Sequence, residues 1–135
     1  MFVVDNSVVM AWCFEDEASP YTEGVLDRLQ ETAAVVPAIW PLEVANVLLM
    51  AERRDRLTEA QNAHFAQLLQ VLPIAVEEAD VARILGAVLA VARAHRLSAY
   101  DAAYLELAAR QGLPLATQDG RLRKAAGNAG VALLQ

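Results

Sequence analysis

Short apolar runs recur along the chain as FVV, AVVP, PIAV, LPLAT and VALL, and a helical pattern separates each run from the next. The runs do not alternate apolar with polar residues, as a strand with one wet face does. They read as strands covered on both sides, the habit of parallel sheets whose crossovers are helices. This alternation predicts an α/β fold, a three-layer sandwich around a mainly parallel five-stranded sheet. At 135 residues the chain fits one domain, 1–135, and its 56% hydrophobic content supplies a core.

The helical segments carry local start and stop signals. Ser7 is placed to cap a helix over Val8 to Phe14, and Pro20 fits the first turn of a helix reaching about Thr32. Pro37 ends the second strand and Pro41 begins the next helix, with Val44, Val47 and Leu48 on its apolar face. Thr58 and Gln61 form a capping box ahead of a helix ending near Leu72. The longest pattern, Glu77 to His95, carries Val81, Ile84, Leu85, Val88, Val91 and Ala92 on one stripe. Leu89 lies off it, so this helix reads as two-sided. A further helix, Tyr100 to Arg110, stops at Gly112, and Gly130 leads into VALL.

No apolar run reaches the roughly 20 residues a membrane span requires, and MFVVDNSVV lacks a basic leader region. Cys13 is the only cysteine, which excludes an internal disulfide and a thiolate metal cluster. A reducing, cytoplasmic setting is the expectation.

Four acids stand at element ends beside apolar segments. Asp5 follows FVV, Glu43 opens PLEVANVLLMAERR, Asp101 opens DAAYLELAARQG, and Asp119 follows LPLAT. Open α/β sheets bind ligands outside the C-terminal ends of their strands. Four carboxylates at that edge would repel one another without cations. The pattern therefore points to a divalent-metal hydrolase, for which phosphodiester cleavage is well suited. Ser7, Asn46 and Thr117 stand beside these acids and are expected to orient a carboxylate or water. Any one such Asp, taken alone, is more often a cap or turn residue.

The formal charge of -6 argues against a nucleic-acid binder, but the basic residues are clustered. They group as Arg53, Arg54 and Arg56, as Arg93 and Arg96, and as Arg121, Arg123 and Lys124. Arg54, Arg56, Arg121 and Arg123 border the acids, and their guanidinium forks suit phosphate oxygens. The competing reading is a set of solvated helix ends. His64 and His95 lack partners at metal-ligand spacing, and Trp12, Phe14 and Trp40 read as packing residues.

The ordered motifs D-N-S, P-L-E-V-A-N, Y-D-A-A-Y and T-Q-D resemble those of PIN domains, especially the toxin ribonucleases of VapBC-type toxin–antitoxin pairs. The resemblance spans Phe2 to Leu134. It implies that Asp5, Glu43, Asp101 and Asp119 form an acidic quartet holding one or two Mg²⁺ or Mn²⁺ ions. Ser7 and Thr117 match the family's neighbouring hydroxyl residues. It further implies an endoribonuclease acting on RNA, a transfer or ribosomal RNA, and a small antitoxin partner. The antitoxin's tail would lie near Val8, Trp12 and the helix Pro41–Met50. A homodimer is expected from the apolar content and the two-sided helix, and the resemblance sets its two sites along one groove.

Other folds with acids at a sheet edge fit less well. A dehalogenase-like phosphatase needs a second Asp where Ser7 stands, and a receiver domain needs paired acids and a late lysine. A dinucleotide-binding fold needs a glycine-rich loop after the first strand. The remaining rival is a catalytically silent copy of the same fold that only binds a partner.

Overall fold

The structure, a computed structural model, describes residues 1–135. Its elements run β1 (Phe2–Val4), α1 (Asn6–Cys13), α2 (Pro20–Arg28), β2 (Ala34–Val36), α3 (Trp40–Arg53), α4 (Glu59–Val71) and β3 (Ile74–Val76). After β3 come α5 (Val81–Arg83), a π-helical turn (Ile84–Val88), α6 (Leu89–His95), α7 (Ala99–Gln111), β4 (Leu115–Ala116) and α8 (Gly120–Ala129). The strands form one parallel sheet in the order β3-β2-β1-β4. β1 and β2 are buried along their whole length, as their unbroken apolar runs require. No helix is long and apolar enough to cross a membrane.

The sheet has four strands where the sequence predicts five. VALL contributes only a single bridge, Leu133 to Leu115. Two constraints keep it from extending. The Val131 amide turns back to the Ala126 carbonyl and closes α8, with Gly130 left-handed at φ 74. β4 itself offers only two residues for pairing.

The long helix also differs from its pattern. Glu77 to Asp80 lie outside it, and Asp80 caps α5 by accepting from the Arg83 amide. The π turn then widens the helix and shifts the apolar stripe relative to the core. Val81 and Leu85 remain exposed, and Val88 alone of the stripe is fully buried.

α7 supplies the most deeply buried helix face, with Tyr104, Leu105 and Leu107 almost wholly covered. It packs on β1 and on α6 and α8. Ser98 caps it by accepting from the Asp101 amide, and Gly112 ends it at φ 65, a conformation that strains residues bearing a Cβ. This one rigid helix holds Asp101 at its first turn.

Candidate acidic active site

The first strand delivers Asp5 to the C-terminal edge of the sheet. Its amide donates to the Ala116 carbonyl at 3.0 Å, which pins it between β1 and β4. Asp5, not Ser7, is the N-cap of α1, because Asn6 already has helical backbone and the Asp5 carboxylate accepts from the Val8 amide. Ser7 instead sits in the first turn and donates its hydroxyl to Asp5 Oδ1 at 2.6 Å. Thr117 donates to Asp5 Oδ2, also at 2.6 Å. Both carboxylate oxygens are thereby held by short bonds from opposite sides.

The same hydroxyls tie in the last acid. The Asp119 amide donates to Thr117 Oγ1 and the Gln118 amide to Ser7 Oγ. Asp119 caps α8 by accepting from the Leu122 amide, leaving its second oxygen without a protein partner. Glu43 lies in the first turn of α3, and Asp101 in that of α7.

Electrostatics connect all four acids through Asp101. Burial pushes the Asp5 carboxyl up to about 6, against the opposing bonds from Ser7, Thr117 and Val8, and Asp101 adds to the rise. Burial also raises Glu43, and Asp101 reinforces that shift. Asp101 itself is raised by burial and by the charge of Asp119. Each shift disfavours full ionisation of the set.

The donors are oxygens throughout, with no soft ligand among them, which fits a hard divalent ion. No three of these side chains stand close enough to share one ion in this geometry.

A PIN domain model matches residues 2–128. The chain belongs to the PIN domain family. Among curated PIN relatives, Ribonuclease VapC3 of Pyrobaculum aerophilum is 32% identical over 120 residues, 89% of this chain and 90% of the relative. Solved structures share the PIN fold at lower identity. PAE2754 from Pyrobaculum aerophilum superposes with a TM-score of 0.70 at 24% identity, over 92% of this chain and 78% of that one. VapBC2 from Rickettsia felis, bound to a DNA fragment from their promoter, gives 0.69 at 9%, over 98% and 96%. FitAcB from Neisseria gonorrhoeae gives 0.62 at 19%, over 100% and 97%.

Two residues that hold this acidic set were not anticipated from the sequence. Tyr104 is buried and donates its hydroxyl to Glu43 Oε1 at 2.6 Å. Burial and the charges of Glu43, Asp5 and Asp101 push the phenol far up, so it stays protonated and remains a donor. Its signal was the spacing Y-D-A-A-Y, since Asp101 and Tyr104, three apart, share a helix face. Gln118 clasps Ser7 through its amide and side chain. Asn46, three residues beyond Glu43, is exposed and makes no hydrogen bond to the acids.

The bordering arginines divide into two kinds. Arg56 pairs with Asp16 at 3.1 Å and Glu17 at 3.3 Å and lies over the Phe14 ring, so its charge is already compensated. Arg123 donates to the Thr117 carbonyl at 2.8 Å and lies 5.6 Å from the Tyr21 ring centroid, bracing the loop under the site. Arg54 and Arg121 are exposed and outside every ion pair. The aromatic residues are structural: Trp12 donates to the Thr22 carbonyl, and Phe14 and Trp40 are buried. His64 is exposed on α4 and His95 closes α6.

Tyr104→Phe keeps the ring and removes only the donor to Glu43. The Glu43 carboxylate then loses the bond favouring its charged form. The expected result is divalent-ion affinity weakened on the order of tenfold, the scale seen for lost outer-shell partners. Isothermal titration with Mn²⁺ checks it; unchanged affinity refutes it.

Proposed function

We propose that this PIN domain is a metal-dependent endoribonuclease that hydrolyses RNA phosphodiester bonds. The observation that carries the reading is the convergence of the acids at the sheet edge: Thr117 bonds Asp5 and receives the Asp119 amide, and α7 carries both Asp101 and the Tyr104 that holds Glu43. Asp5 and Asp101 would hold Mg²⁺ or Mn²⁺, with Glu43 and Asp119 completing one or two sites. A bound ion would activate water and stabilise charge on the phosphate and leaving oxygen. The protein's part is orientation. Ser7 and Thr117 fix the plane of the Asp5 carboxylate, Tyr104 fixes Glu43, and Ser98 sets the backbone at Asp101. The resemblance to Ribonuclease VapC3 supports RNA as substrate.

The same relationship supports a toxin in a type II toxin–antitoxin pair, with a small antitoxin partner and a cytoplasmic site of action. A transfer or ribosomal RNA is the proposed target. A homodimer is proposed through exposed apolar residues such as Val81, Leu85 and Tyr100. Helices on both faces of the sheet would make it a three-layer sandwich.

The test is cleavage of structured RNA by the purified chain in Mg²⁺ or Mn²⁺, against EDTA, with cleaved ends sequenced from cells after brief induction. Discrete ends dependent on divalent ions are expected. Failure to cleave any cellular RNA with Mn²⁺ present would favour a silent, partner-binding copy of the fold.

A further inference from the structure

A basic cleft lies where α6 ends and α8 passes. It encloses about 510 Å³ and is lined by His95, Arg96, Arg121, Lys124 and Asn128, with only alanines beside them and no acidic residue. On a chain of net charge -6 this is a local reversal of sign. The ion pairs of the protein use Arg56, Arg83 and Arg110, so the cleft's cations have no anionic partner.

We propose that this cleft is a binding track for the sugar–phosphate backbone of one RNA strand, leading away from the acidic centre. The inference rests on the nuclease reading and adds where the substrate runs. Both walls of the cleft grow from segments that carry the acids. Arg121 follows Asp119 by two residues in the first turn of α8. Arg96 ends α6 in the left-handed region, φ 55, and precedes by two residues Ser98, the cap of the helix bearing Asp101. A residue with a Cβ is uncommon in that backbone state.

Along α8, Arg121, Lys124 and Asn128 stand at i, i+3 and i+7, one face of the helix. At a rise of 1.5 Å per residue they span roughly 10 Å, a row long enough for about two or three consecutive phosphates. Arg96 faces this row across the cleft, and the His95 imidazole and Asn128 amide add hydrogen-bonding groups for phosphate or ribose hydroxyls.

An acidic protein segment is the competing occupant. Protein segments dock mainly through apolar or aromatic anchors set in pockets. The cleft offers only Ala94 and Ala125 for such an anchor. Repeated charge without an apolar pocket suits a polyanionic strand.

The sequence pairs Arg121 with Arg123. The structure turns Arg123 away, toward Thr117 and Tyr21, and sets Arg96 and Lys124 beside Arg121 in its place.

The test is fluorescence anisotropy of a labelled short single-stranded RNA with the full chain in EDTA, over a salt series. Arg121→Gln/Lys124→Gln changes two exposed side chains of α8. It is expected to weaken binding on the order of tenfold and to flatten the log–log salt slope by about 1.4, roughly 0.7 for each lost phosphate contact on a single strand. Arg96→Gly, which suits the left-handed backbone, is the second variant and is expected to flatten the slope by about 0.7. Affinity and slope within error of wild type for either folded variant would overturn the track. So would tighter binding of a polyglutamate peptide than of RNA, which would assign the cleft to an acidic protein segment. Asp101→Asn separates the two readings. It should retain the salt-dependent binding, and failure of the wild-type chain to cleave RNA in Mn²⁺ would remove the nuclease assignment while leaving the track intact.

Discussion

Asp101→Asn is expected to abolish most RNA cleavage and most Mn²⁺ binding while leaving the fold intact. The Asp101 charge raises the Asp5 and Glu43 carboxyls and is itself opposed by Asp119, so its loss removes a charge coupled to all three. The effect should exceed the roughly 10–100-fold that follows loss of a residue supporting a ligand from outside. Folding is not at risk, because Asp101 is half-buried and the Ser98 cap bonds its backbone amide rather than its carboxylate. The apo variant should melt at a slightly higher temperature, since burial and Asp119 both oppose the Asp101 charge. Wild-type cleavage rates in Mg²⁺ with this variant would refute the assignment. The matching expectation in wild type is a rise in melting temperature on adding Mn²⁺, as follows if the ion binds only the folded state. Asp101→Asn should lose that rise.

The second large effect is on stability and its pH dependence. Asp5 is 5% exposed, and its carboxyl is pushed up to about 6 from an ordinary 3.8. Below about pH 4 the group is protonated both folded and unfolded, and its contribution to stability is fully present. As pH rises toward 6, the unfolded chain releases the proton while the folded chain retains it. Stability is lost across that interval, by roughly 3 kcal/mol at 1.36 kcal/mol per pH unit. Glu43 and Asp101 are raised as well and act in the same direction.

Asp5→Asn removes this penalty. The Ser7 and Thr117 hydroxyls can rotate to donate to the amide oxygen or accept from the amide nitrogen, so the buried group stays satisfied. In EDTA at about pH 7.5 the variant should be more stable than wild type by up to roughly 3 kcal/mol. At about pH 3, where the unfolded carboxyl is protonated as well, the difference should vanish. Urea denaturation at both pH values measures it. A variant less stable than wild type at the higher pH would show that the hydroxyl bonds outweigh burial. In cleavage the same variant should be inactive, so stability and activity move in opposite directions, as expected of a site that stores charge repulsion for use with a cation.

The positions of the acids could be read from the sequence because each is tied to a local signal. FVV ends at Asp5, Pro41 opens the helix that bears Glu43, and Asp119 precedes Gly120. Such signals depend on strand periodicity and on turn and cap chemistry, which act over a few residues. The predicted start of α4 rests on the same chemistry, at Thr58, whereas the Ser98 cap of α7 emerges only in the structure. VALL failed as a strand because α8 closes onto the Val131 amide at Gly130 and because β4 beside it has only two residues. The stripe from Val81 to Ala92 stays largely exposed, because the helix begins only at Val81 and a π turn over Ile84–Val88 breaks its repeat.

By itself the sequence determined a parallel α/β fold, the strand ends and helix starts that set four carboxylates at element ends, and a supply of arginines near them. Only the tertiary structure decided which partners those residues have. It joined Thr117 to Asp5 across 112 positions of chain and Tyr104 to Glu43 across 61. It compensated Arg56, turned Arg123 inward, and left Arg96, Arg121 and Lys124 together without an anion. The physical reason is range. Helix and strand preferences are set by neighbours within a turn, whereas hydrogen-bond partners, burial and carboxyl shifts depend on groups brought close only when the sheet assembles.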